Sequence, residues 1–159
     1  MSDRHRNVVR VVEAGRELGV VVEPHHQPAG AKTAADAAAA VGCDVAQIVK
    51  SLIFAVDDEV VLAYVSGANQ LDERKLAAAA GGQRCERVDA DTVRAATGFP
   101  IGGVPPFGHA RQLRVFVDPD LLGHDVVWAA AGTWNDVFPL TPDDLVRASG
   151  GAVVELKRS

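Results

Sequence analysis

Two runs of predominantly apolar residues in the middle of the chain give its clearest pattern. Residues 48–56 and 59–66 are rich in aliphatic and aromatic side chains, and the acidic pair Asp57-Asp58 separates them. Apolar runs of this length, joined by two turn-forming residues, are typical of a β-hairpin. Further short runs rich in valine predict strands at residues 20–23, 85–88, 115–117, 126–129, 137–138 and 153–155.

Helices are indicated by apolar spacing and by capping residues. Apolar residues recur at helical spacing between residues 8 and 18, before Gly19, and predict a first helix. Thr33, followed three residues later by Asp36, begins a second helix, which Gly42 ends. Similar signals predict helices at residues 72–80, 89–97 and 141–149, and a short helical turn after Asp44.

The order of these elements predicts a single α+β domain over residues 1–159. Short strands occur in clusters, a hairpin joins the two longest, and helices flank them, which favours a mixed β-sheet covered by helices. Composition supports the sheet, because 25 valines stand against 11 leucines and 3 isoleucines, and β-branched residues favour strands. No internal repeat is visible, and 159 residues leave little room for a second domain.

Charge and hydropathy exclude several classes of protein. The formal net charge of −5 argues against broad, non-specific binding to DNA or RNA, which needs a basic face, but it allows a small basic pocket. No window approaches the roughly 18 apolar residues of a membrane span, and the charged first residues do not resemble a secretion signal. We therefore expect a soluble, cytoplasmic protein with no membrane partner, in which Cys43 and Cys85 are reduced.

Lys50 is the first candidate for chemistry, because it interrupts an apolar strand face. Side chains alternate across a strand, so Lys50 shares its face with Ile48, Leu52 and Phe54. A lysine near the end of a strand can lay its stem along such a row and keep its ammonium in water. Alternatively, the ammonium lines a pocket, where partial desolvation strengthens its interaction with a phosphate, a carboxylate or a developing oxyanion.

The second candidate is the loop at residues 98–110, which reads Gly-Gly-Val-Pro-Pro-Phe-Gly-His from Gly102 to His109. Its glycines let backbone amides approach a ligand closely, and Pro105 and Pro106 restrict the chain. The loop matches neither a Walker phosphate loop nor a Gly-x-Gly-x-x-Gly motif. It could equally be a packed turn whose glycines only permit tight corners.

A metal site or a covalent nucleophile has little support in the sequence. No histidine pair has the helical spacing of a metal site, and neither cysteine has a second ligand at zinc-knuckle spacing, so we predict no metal. Ser51 follows Lys50 but points to the other strand face, which disfavours a Ser-Lys pair. Trp134 could stack on a base or a ring, although a tryptophan that caps the core is the commoner case. The small residues 129–133 allow a ligand or another element to approach the backbone closely.

Taken in order, these segments resemble a known family. They are Ile-Val-Lys-Ser-Leu-Ile-Phe around Lys50, Tyr-Val-Ser-Gly-Ala-Asn at the end of the hairpin, Leu-Asp-Glu-Arg-Lys-Leu at residues 71–76, the 102–109 loop, and Ala-Ala-Gly ending at Gly132. Together they resemble the YbaK/ProX family of aminoacyl-tRNA editing domains, which includes the insertion domain of bacterial prolyl-tRNA synthetases. The resemblance covers about residues 20–156 and implies a compact α+β domain around a mixed, strongly curved sheet.

The resemblance implies an aminoacyl-tRNA deacylase that acts in trans. Its substrate would be a mischarged tRNA, commonly the tRNA for proline carrying cysteine, alanine or a similar small amino acid. The pocket lysine of the family corresponds to Lys50 and its Gly-x-x-x-Pro loop to Gly102 and Pro106, and we assign catalysis to Lys50 and Gly102. The register of Asp136 against an acidic residue of some relatives stays open. The predicted substrate-binding residues are Gly103, Val104, Pro105, Pro106, His109, Ala131 and Gly132.

The resemblance implies no cofactor, because water or a group of the substrate, such as a ribose hydroxyl or a cysteine thiol, can attack the activated ester. A synthetase or an elongation factor could add the affinity for tRNA that an acidic chain lacks. The alternative function is a non-catalytic module of the same fold that binds aminoacyl-tRNA or a nucleotide. The candidate cations for the acceptor end of tRNA are Lys50, Arg74, Lys75, Arg111 and Arg114.

Overall fold

Helices and short strands alternate along the chain. The structure, a computed structural model, describes residues 3–27 and 33–159, with side chains from residue 6 onward. The helices are α1 (Asp3–Glu17), α2 (Ala34–Val41), α3 (Glu73–Ala79), α4 (Ala90–Thr97) and α5 (Pro142–Ser149). The strands are β1 (His25–His26), β2 (Val49–Val56), β3 (Glu59–Ser66), β4 (Cys85–Arg87), β5 (Arg114–Val117), β6 (Val127–Thr133), β7 (Asp136–Leu140) and β8 (Ala152–Val153). Short 3₁₀ turns cover Val45–Gln47 and Pro119–Gly123.

The predicted hairpin is confirmed and forms the centre of the fold. Strands β2 and β3 pair antiparallel along their full lengths. The turn residues Asp57 and Asp58 have φ angles of +47° and +78°. Positive φ at both positions matches the hairpin turn whose twist suits paired strands, and aspartate tolerates this conformation better than most residues.

The predicted helix caps are also confirmed. The Thr33 side chain accepts a hydrogen bond from the backbone N–H of Asp36 at 3.1 Å, and α2 ends at Gly42, whose φ is +77°. In the same way, the Asp89 side chain accepts from the N–H of Thr92 at 2.7 Å at the start of α4. Such caps satisfy N–H groups that have no partner within the helix and contribute about 1 kcal/mol each.

The strands form two sheets. The five-stranded sheet has the order β4-β2-β3-β5-β8, in which β4, β2 and β3 are antiparallel and β3, β5 and β8 are parallel. The second sheet is antiparallel, with the order β1-β7-β6. An isolated parallel bridge between Ile48 and Trp128 links the two. The α+β class with a mixed sheet is confirmed, although the strands divide between two sheets where we expected one.

Apolar side chains cover both faces of the five-stranded sheet. On one face, Ile53 and Tyr64 belong to a core that includes residues of β6, β7, α1, α4 and α5. On the opposite face, Phe54 and Phe116 pack with Leu76 of α3. A strand buried on both faces is apolar along most of its length, which explains the nearly continuous apolar sequence of β3.

Two local predictions are wrong. Residues 20–23 are not a strand: Val20 and Val22 are buried, but the segment has no strand partner in the described chain, and β1 forms instead at residues 25–26 against β7. The strand predicted at residues 126–129 is too short: residues 130–133 also belong to β6, and the turn to β7 lies at residues 134–135. Alternating burial alone does not make a strand, because a strand also needs a hydrogen-bonded neighbour.

Candidate functional site

A pocket of about 530 Å³ lies along β2, beyond the point where β4 ends. Strand β4 pairs with β2 only from Phe54 to Val56, and near the opposite end of β2 Ile48 bridges to Trp128. Residues of β2 between these contacts form one wall of the pocket, and residues near α3, α4 and the C-terminus complete it. Aliphatic side chains and Phe54 line much of its surface. The polar lining comes from Lys50, Ser51, Gln70, Glu73, Arg87 and Arg158.

Lys50 extends from β2 into this pocket, on the strand face that the sequence predicted. Its Nζ donates a hydrogen bond to the backbone carbonyl of Asn69. Burial lowers the pKa of Lys50, and the nearby carboxylate of Asp118 opposes that shift by favouring the charged form. The ammonium therefore lies at a partly desolvated position, where its field acts more strongly than in bulk water.

A buried carboxylate holds the residue that Lys50 contacts. Asp118 is fully buried, and its Oδ2 accepts hydrogen bonds from Asn69 Nδ2 at 2.8 Å and from the N–H of Ser66 at 3.1 Å. Its Oδ1 accepts from the N–H of Asp120 at 2.9 Å. Asn69 Nδ2 also donates to Asp120 Oδ2 at 2.9 Å. The Asn69 side chain is thus held by two carboxylates while its backbone carbonyl meets the ammonium of Lys50.

The glycine-proline loop is attached to the hairpin by a cross-strand pair. Ser51 and Tyr64 are partners on β2 and β3. The Ser51 hydroxyl donates to the carbonyl of Val104, and the Tyr64 hydroxyl donates to the carbonyl of Pro105, both at 2.7 Å. His109 Nε2 also lies 2.7 Å from the Pro105 carbonyl. These bonds fix two successive peptide groups of the loop beside the strand that carries Lys50.

Burial perturbs two groups that support the loop. It raises the pKa of the fully buried Tyr64, so this hydroxyl stays protonated and serves as a donor. It also lowers the pKa of His109, against the opposing effect of the hydrogen bond to Pro105. A neutral His109 has one N–H, and the short contact with a carbonyl requires that Nε2 carry it. His109 therefore donates to a carbonyl of its own loop.

Gly102 and Gly103 are required to be glycine for different structural reasons. Gly102 has a φ of +81°, a conformation that favours glycine, and only Trp134 would lie near an added Cβ, at 3.5 Å. An added Cβ on Gly103 would lie 2.7 Å from the Cα of Thr133 and 2.9 Å from its N. Gly103 is needed because two backbones meet there, and this contact locks the loop against the end of β6.

Ala131 and Gly132, which we predicted as substrate contacts, lie in β6 outside the pocket lining. Ala131 is fully buried in the core. Gly132 has a φ of +100°, and its carbonyl accepts a hydrogen bond from Asn7 Nδ2 of α1 at 3.2 Å. An added Cβ there would lie 2.9 Å from the backbone of Asn7. These positions explain the small residues by close packing, and a contact with substrate stays a prediction.

Two arginines in the pocket were missed by sequence reasoning. Arg87 lies on β4 directly opposite Phe54, so cross-strand register brings it to the face of Lys50. Arg158 reaches the pocket because the C-terminal segment folds back: its Nε donates to the Leu71 carbonyl at 3.1 Å and its Nη1 to Gln70 Oε1 at 3.2 Å. The register of a short strand could have suggested Arg87, whereas nothing local indicates Arg158.

Of the five cations predicted to contact tRNA, only Lys50 lines this pocket. Arg111 and Arg114 line a separate depression, where Arg114 pairs with Glu59 at 3.1 Å. Lys75 donates to the carbonyl of Lys157 at 2.6 Å. Arg74 is exposed on α3. The basic side chains that the fold gathers at one site are therefore Lys50, Arg87 and Arg158.

Asp136 and Trp134 flank the turn between β6 and β7. Asp136 is buried, accepts a hydrogen bond from the Thr133 hydroxyl at 2.6 Å and lies 3.0 Å from His26 Nδ1. This pairing connects β1 to the turn. Trp134 is exposed and does not cap the core, contrary to the commoner case that the sequence favoured.

Comparison with known proteins identifies the family. Residues 28–148 match the aminoacyl-tRNA editing domain. The chain belongs to this family. The resemblance seen in the sequence is thereby confirmed, and with it the coarse function: this is an aminoacyl-tRNA editing domain. The described residues contain no helix long and apolar enough to cross a membrane, and no group of three or more His, Cys, Asp or Glu side chains that could hold a metal ion.

Relatives of this editing domain occur both alone and within a larger enzyme. The chain is 33% identical over 114 residues to the uncharacterized protein YwhH of Bacillus subtilis, and this alignment covers 71% of the chain and 72% of that protein. It is 32% identical over 143 residues to a proline–tRNA ligase of Nitratidesulfovibrio vulgaris, covering 78% of this chain but only 25% of the ligase. The chain thus corresponds to about a quarter of that ligase.

A solved structure extends the similarity over nearly the whole chain. The crystal structure of a candidate trans-editing enzyme for prolyl tRNA synthetase superposes with a TM-score of 0.91 at 42% sequence identity. The superposition covers 96% of this chain and 98% of that one. The α+β fold described above is therefore the fold of that protein.

Proposed function

We propose that this editing domain is an aminoacyl-tRNA deacylase that acts in trans on mischarged tRNA, with the tRNA for proline carrying cysteine, alanine or a similar small amino acid as its substrate. The observation that carries the proposal is the half-buried ammonium of Lys50 inside a pocket of about 530 Å³. That volume lies within the usual range of pockets for small molecules and suits an aminoacyl group with part of its ribose.

The need for a second pocket is energetic. A synthetase that distinguishes two amino acids by one methylene or one hydroxyl in an apolar pocket gains only about 1–3 kcal/mol of discrimination. A separate hydrolytic site removes the products that the first site admits. The aliphatic lining contributed by Leu52, Ile53 and Val93 supports a small, largely apolar amino-acid side chain as the selected group.

Lys50 is the residue to which we assign the principal electrostatic role. Ester hydrolysis places negative charge on the former carbonyl oxygen, and a fixed cation in a partly desolvated site stabilises that charge more than one in water. The same ammonium could hold the terminal phosphate of the tRNA during binding. The carbonyl of Asn69 already orients Nζ, so little reorganisation is needed when the ester arrives.

Backbone amides of the loop are the second proposed element of the oxyanion site. Pro105 and Pro106 have no N–H, and the N–H of Gly103 donates to the Pro100 carbonyl at 2.9 Å. The remaining candidates are the amides of Gly102 and Val104. Gly102 is exposed and directly follows Ile101 of the pocket lining, whereas Val104 is buried, so the Gly102 N–H is the donor we assign.

Attack by water, or by a hydroxyl or thiol of the substrate, fits the pocket better than attack by a protein nucleophile. Ser51 is the hydroxyl that lines the pocket, and it already donates to Val104. In the direct reaction, the water oxygen bonds to the ester carbon and the bond from that carbon to the ribose oxygen breaks. One proton of water goes to the released ribose hydroxyl, leaving free amino acid and uncharged tRNA.

Release of amino acid from purified charged tRNAs tests the proposal. The tRNA for proline should be charged with alanine, cysteine or proline, and hydrolysis measured for the parent and for Lys50→Ala, Gly102→Ala and Arg84→Ala. Arg84 is an exposed cation outside the pocket, paired with Glu86, and it controls for the loss of one positive charge. We expect the parent and R84A to hydrolyse a mischarged ester while K50A loses at least tenfold in kcat/KM.

Two outcomes would change the assignment. Full activity of K50A would remove Lys50 from the mechanism, even if the chain is a deacylase. If no ester is cleaved but charged tRNA still binds, the domain is a non-catalytic binding module. The acidic net charge of −5 supports modest affinity for free tRNA that falls with salt, and recruitment by a synthetase or an elongation factor would compensate for it.

A further inference from the structure

Two large apolar side chains are exposed next to Gly102. Trp134 is 53% exposed and Ile101 is 59% exposed. The chain has five phenylalanines and one tyrosine, and all six are buried. The other tryptophan, Trp128, is partly buried and contacts the ring of His25 edge-on. Trp134 is therefore the one exposed side chain among the Phe, Tyr and Trp residues, all of which the structure describes.

The surface formed by Ile101, Gly102 and Trp134, here called the platform, is continuous with the pocket. Ile101 lines the pocket and directly precedes Gly102. An added Cβ on Gly102 would lie 3.5 Å from the Cβ of Trp134, so the glycine and the tryptophan are neighbours. Because Gly102 has no side chain, it places no side-chain atom between Ile101 and Trp134, and a flat ligand can approach.

The platform is built on a rigid base. Gly103 packs directly on the backbone of Thr133, the residue before Trp134. The Thr133 hydroxyl donates to Asp136 and accepts from the N–H of Asn135 at 3.1 Å, which fixes the turn after β6. Exposed apolar side chains held in place by buried polar contacts are typical of a binding surface, since a ligand need not order them.

We infer that the platform stacks on the terminal base of the unpaired 3′ end of tRNA, which positions that nucleotide while its ester enters the pocket. The inference rests on the proposed function. Aromatic side chains stack on bases of single-stranded nucleic acid regardless of sequence. The adjoining pocket contains three cations, Lys50, Arg87 and Arg158, against one acid, Glu73. This local positive charge complements the phosphates beside a stacked base and favours a nucleic-acid end over an apolar peptide.

Binding of uncharged tRNA tests the platform independently of hydrolysis. The probes are tRNA for proline ending in CCA and the same tRNA ending in CC, measured with the parent, Trp134→Ala and Trp134→Phe. We expect the parent to bind the CCA form more tightly, and W134A to lose about 5- to 150-fold in affinity for it. W134A should then bind both tRNAs equally, whereas W134F should retain most of the preference.

A matched control removes an exposed apolar side chain elsewhere. Val21 is 78% exposed and lies away from the pocket, so Val21→Ala should bind both tRNAs as the parent does. Because Trp134 is exposed, W134A should also unfold at the temperature of the parent. Equal binding of the two tRNAs by the parent, or an unchanged preference in W134A, would overturn the inference.

The two proposals fail in distinguishable ways. If the parent hydrolyses mischarged tRNA and W134A does so with unchanged kcat/KM and unchanged preference for the CCA form, the platform is wrong and the deacylase proposal stands. If no ester is hydrolysed but W134A abolishes the preference for the CCA form, the platform stands and the domain only binds. A loss of affinity in W134A that is equal for both tRNAs would place the contact away from the terminal base and contradict the inference.

Discussion

Replacing Asp118 by asparagine should reveal how the fold controls the charge of Lys50. Asp118→Asn keeps the shape of the side chain but removes the negative charge that raises the pKa of Lys50. Burial lowers the pKa of Lys50 and Asp118 opposes it. Without the carboxylate only the effect of burial remains, so the pKa of Lys50 should fall further below its ordinary value.

The cost in stability follows from the hydrogen bonds that Asp118 accepts. An asparagine can keep its carbonyl toward Asn69 and Ser66, but its NH₂ then faces the N–H of Asp120, where Asp118 accepts a bond. One charge-assisted bond is lost, the other two weaken, and two donors oppose each other in the interior. A bond to a charged group contributes about 1.5–3 kcal/mol, so we expect D118N to lower the free energy of unfolding by about 2–4 kcal/mol.

Three measurements check this prediction. The chain has four lysines, so ¹³C-methylated lysine signals can be titrated by NMR and that of Lys50 assigned by its absence from K50A. The alkaline limb of the pH profile of kcat/KM should move to lower pH in D118N, since loss of the proton from Lys50 removes the cation at a lower pH. Urea unfolding at neutral pH gives the stability change.

Asp120→Asn provides the matched control. Asp120 belongs to the same network but is exposed, where it pairs with Lys157 at 2.9 Å. Exposed pairs of this kind contribute at most about 1 kcal/mol, so D120N should be nearly as stable as the parent. It should also leave the titration of Lys50 unchanged. An unaltered or raised pKa of Lys50 in D118N would refute the reasoning, because Asp118 would then act only as a structural residue.

Three further predictions follow from the loop and the pocket. Burial lowers the pKa of His109 in the folded protein, so the unfolded chain binds a proton more readily. The free energy of unfolding should therefore fall as the pH drops below about 6.5, and His109→Gln should lack this decrease between pH 7 and 5. Gly103→Ala forces a Cβ into the Thr133 backbone and should cost about 1–3 kcal/mol in chemical denaturation, whereas Gly123→Ala, which has open space and no positive φ, should be neutral or stabilise by up to about 1 kcal/mol; equal effects would contradict the packing argument. Arg87→Ala should reduce the slope of log affinity for tRNA against log salt by about 1, while Arg84→Ala should leave the slope unchanged.

Local sequence patterns were sufficient for most of the secondary structure. The hairpin follows from two apolar runs around Asp57-Asp58, and the helix bounds follow from residues such as Thr33 and Gly98, which satisfy or end a helix by themselves. These features depend on neighbours within a few residues. The family resemblance was also accessible, because it consists of short motifs in a fixed order.

The composition of the site was only partly accessible. Alternation along β2 correctly placed Lys50 on an apolar row, but no local pattern indicates that Asp118, about seventy positions away, lies near its ammonium. The pairing of Arg87 with Phe54 depends on strand register, and the position of Arg158 depends on how the C-terminal segment docks. The small residues at 131 and 132 looked like ligand contacts, yet the structure explains them by packing in the core and against α1.

The sequence by itself determined the class of fold, its main elements and the family, because hydrophobic periodicity, caps and motifs are recorded in consecutive residues. Only the tertiary structure decided which cations share one pocket, that Trp134 is exposed rather than buried, and that a buried carboxylate adjoins Lys50. The physical reason is that burial and electrostatic environment depend on residues distant in the chain, and chain order does not specify those distances until the sheets and helices have packed.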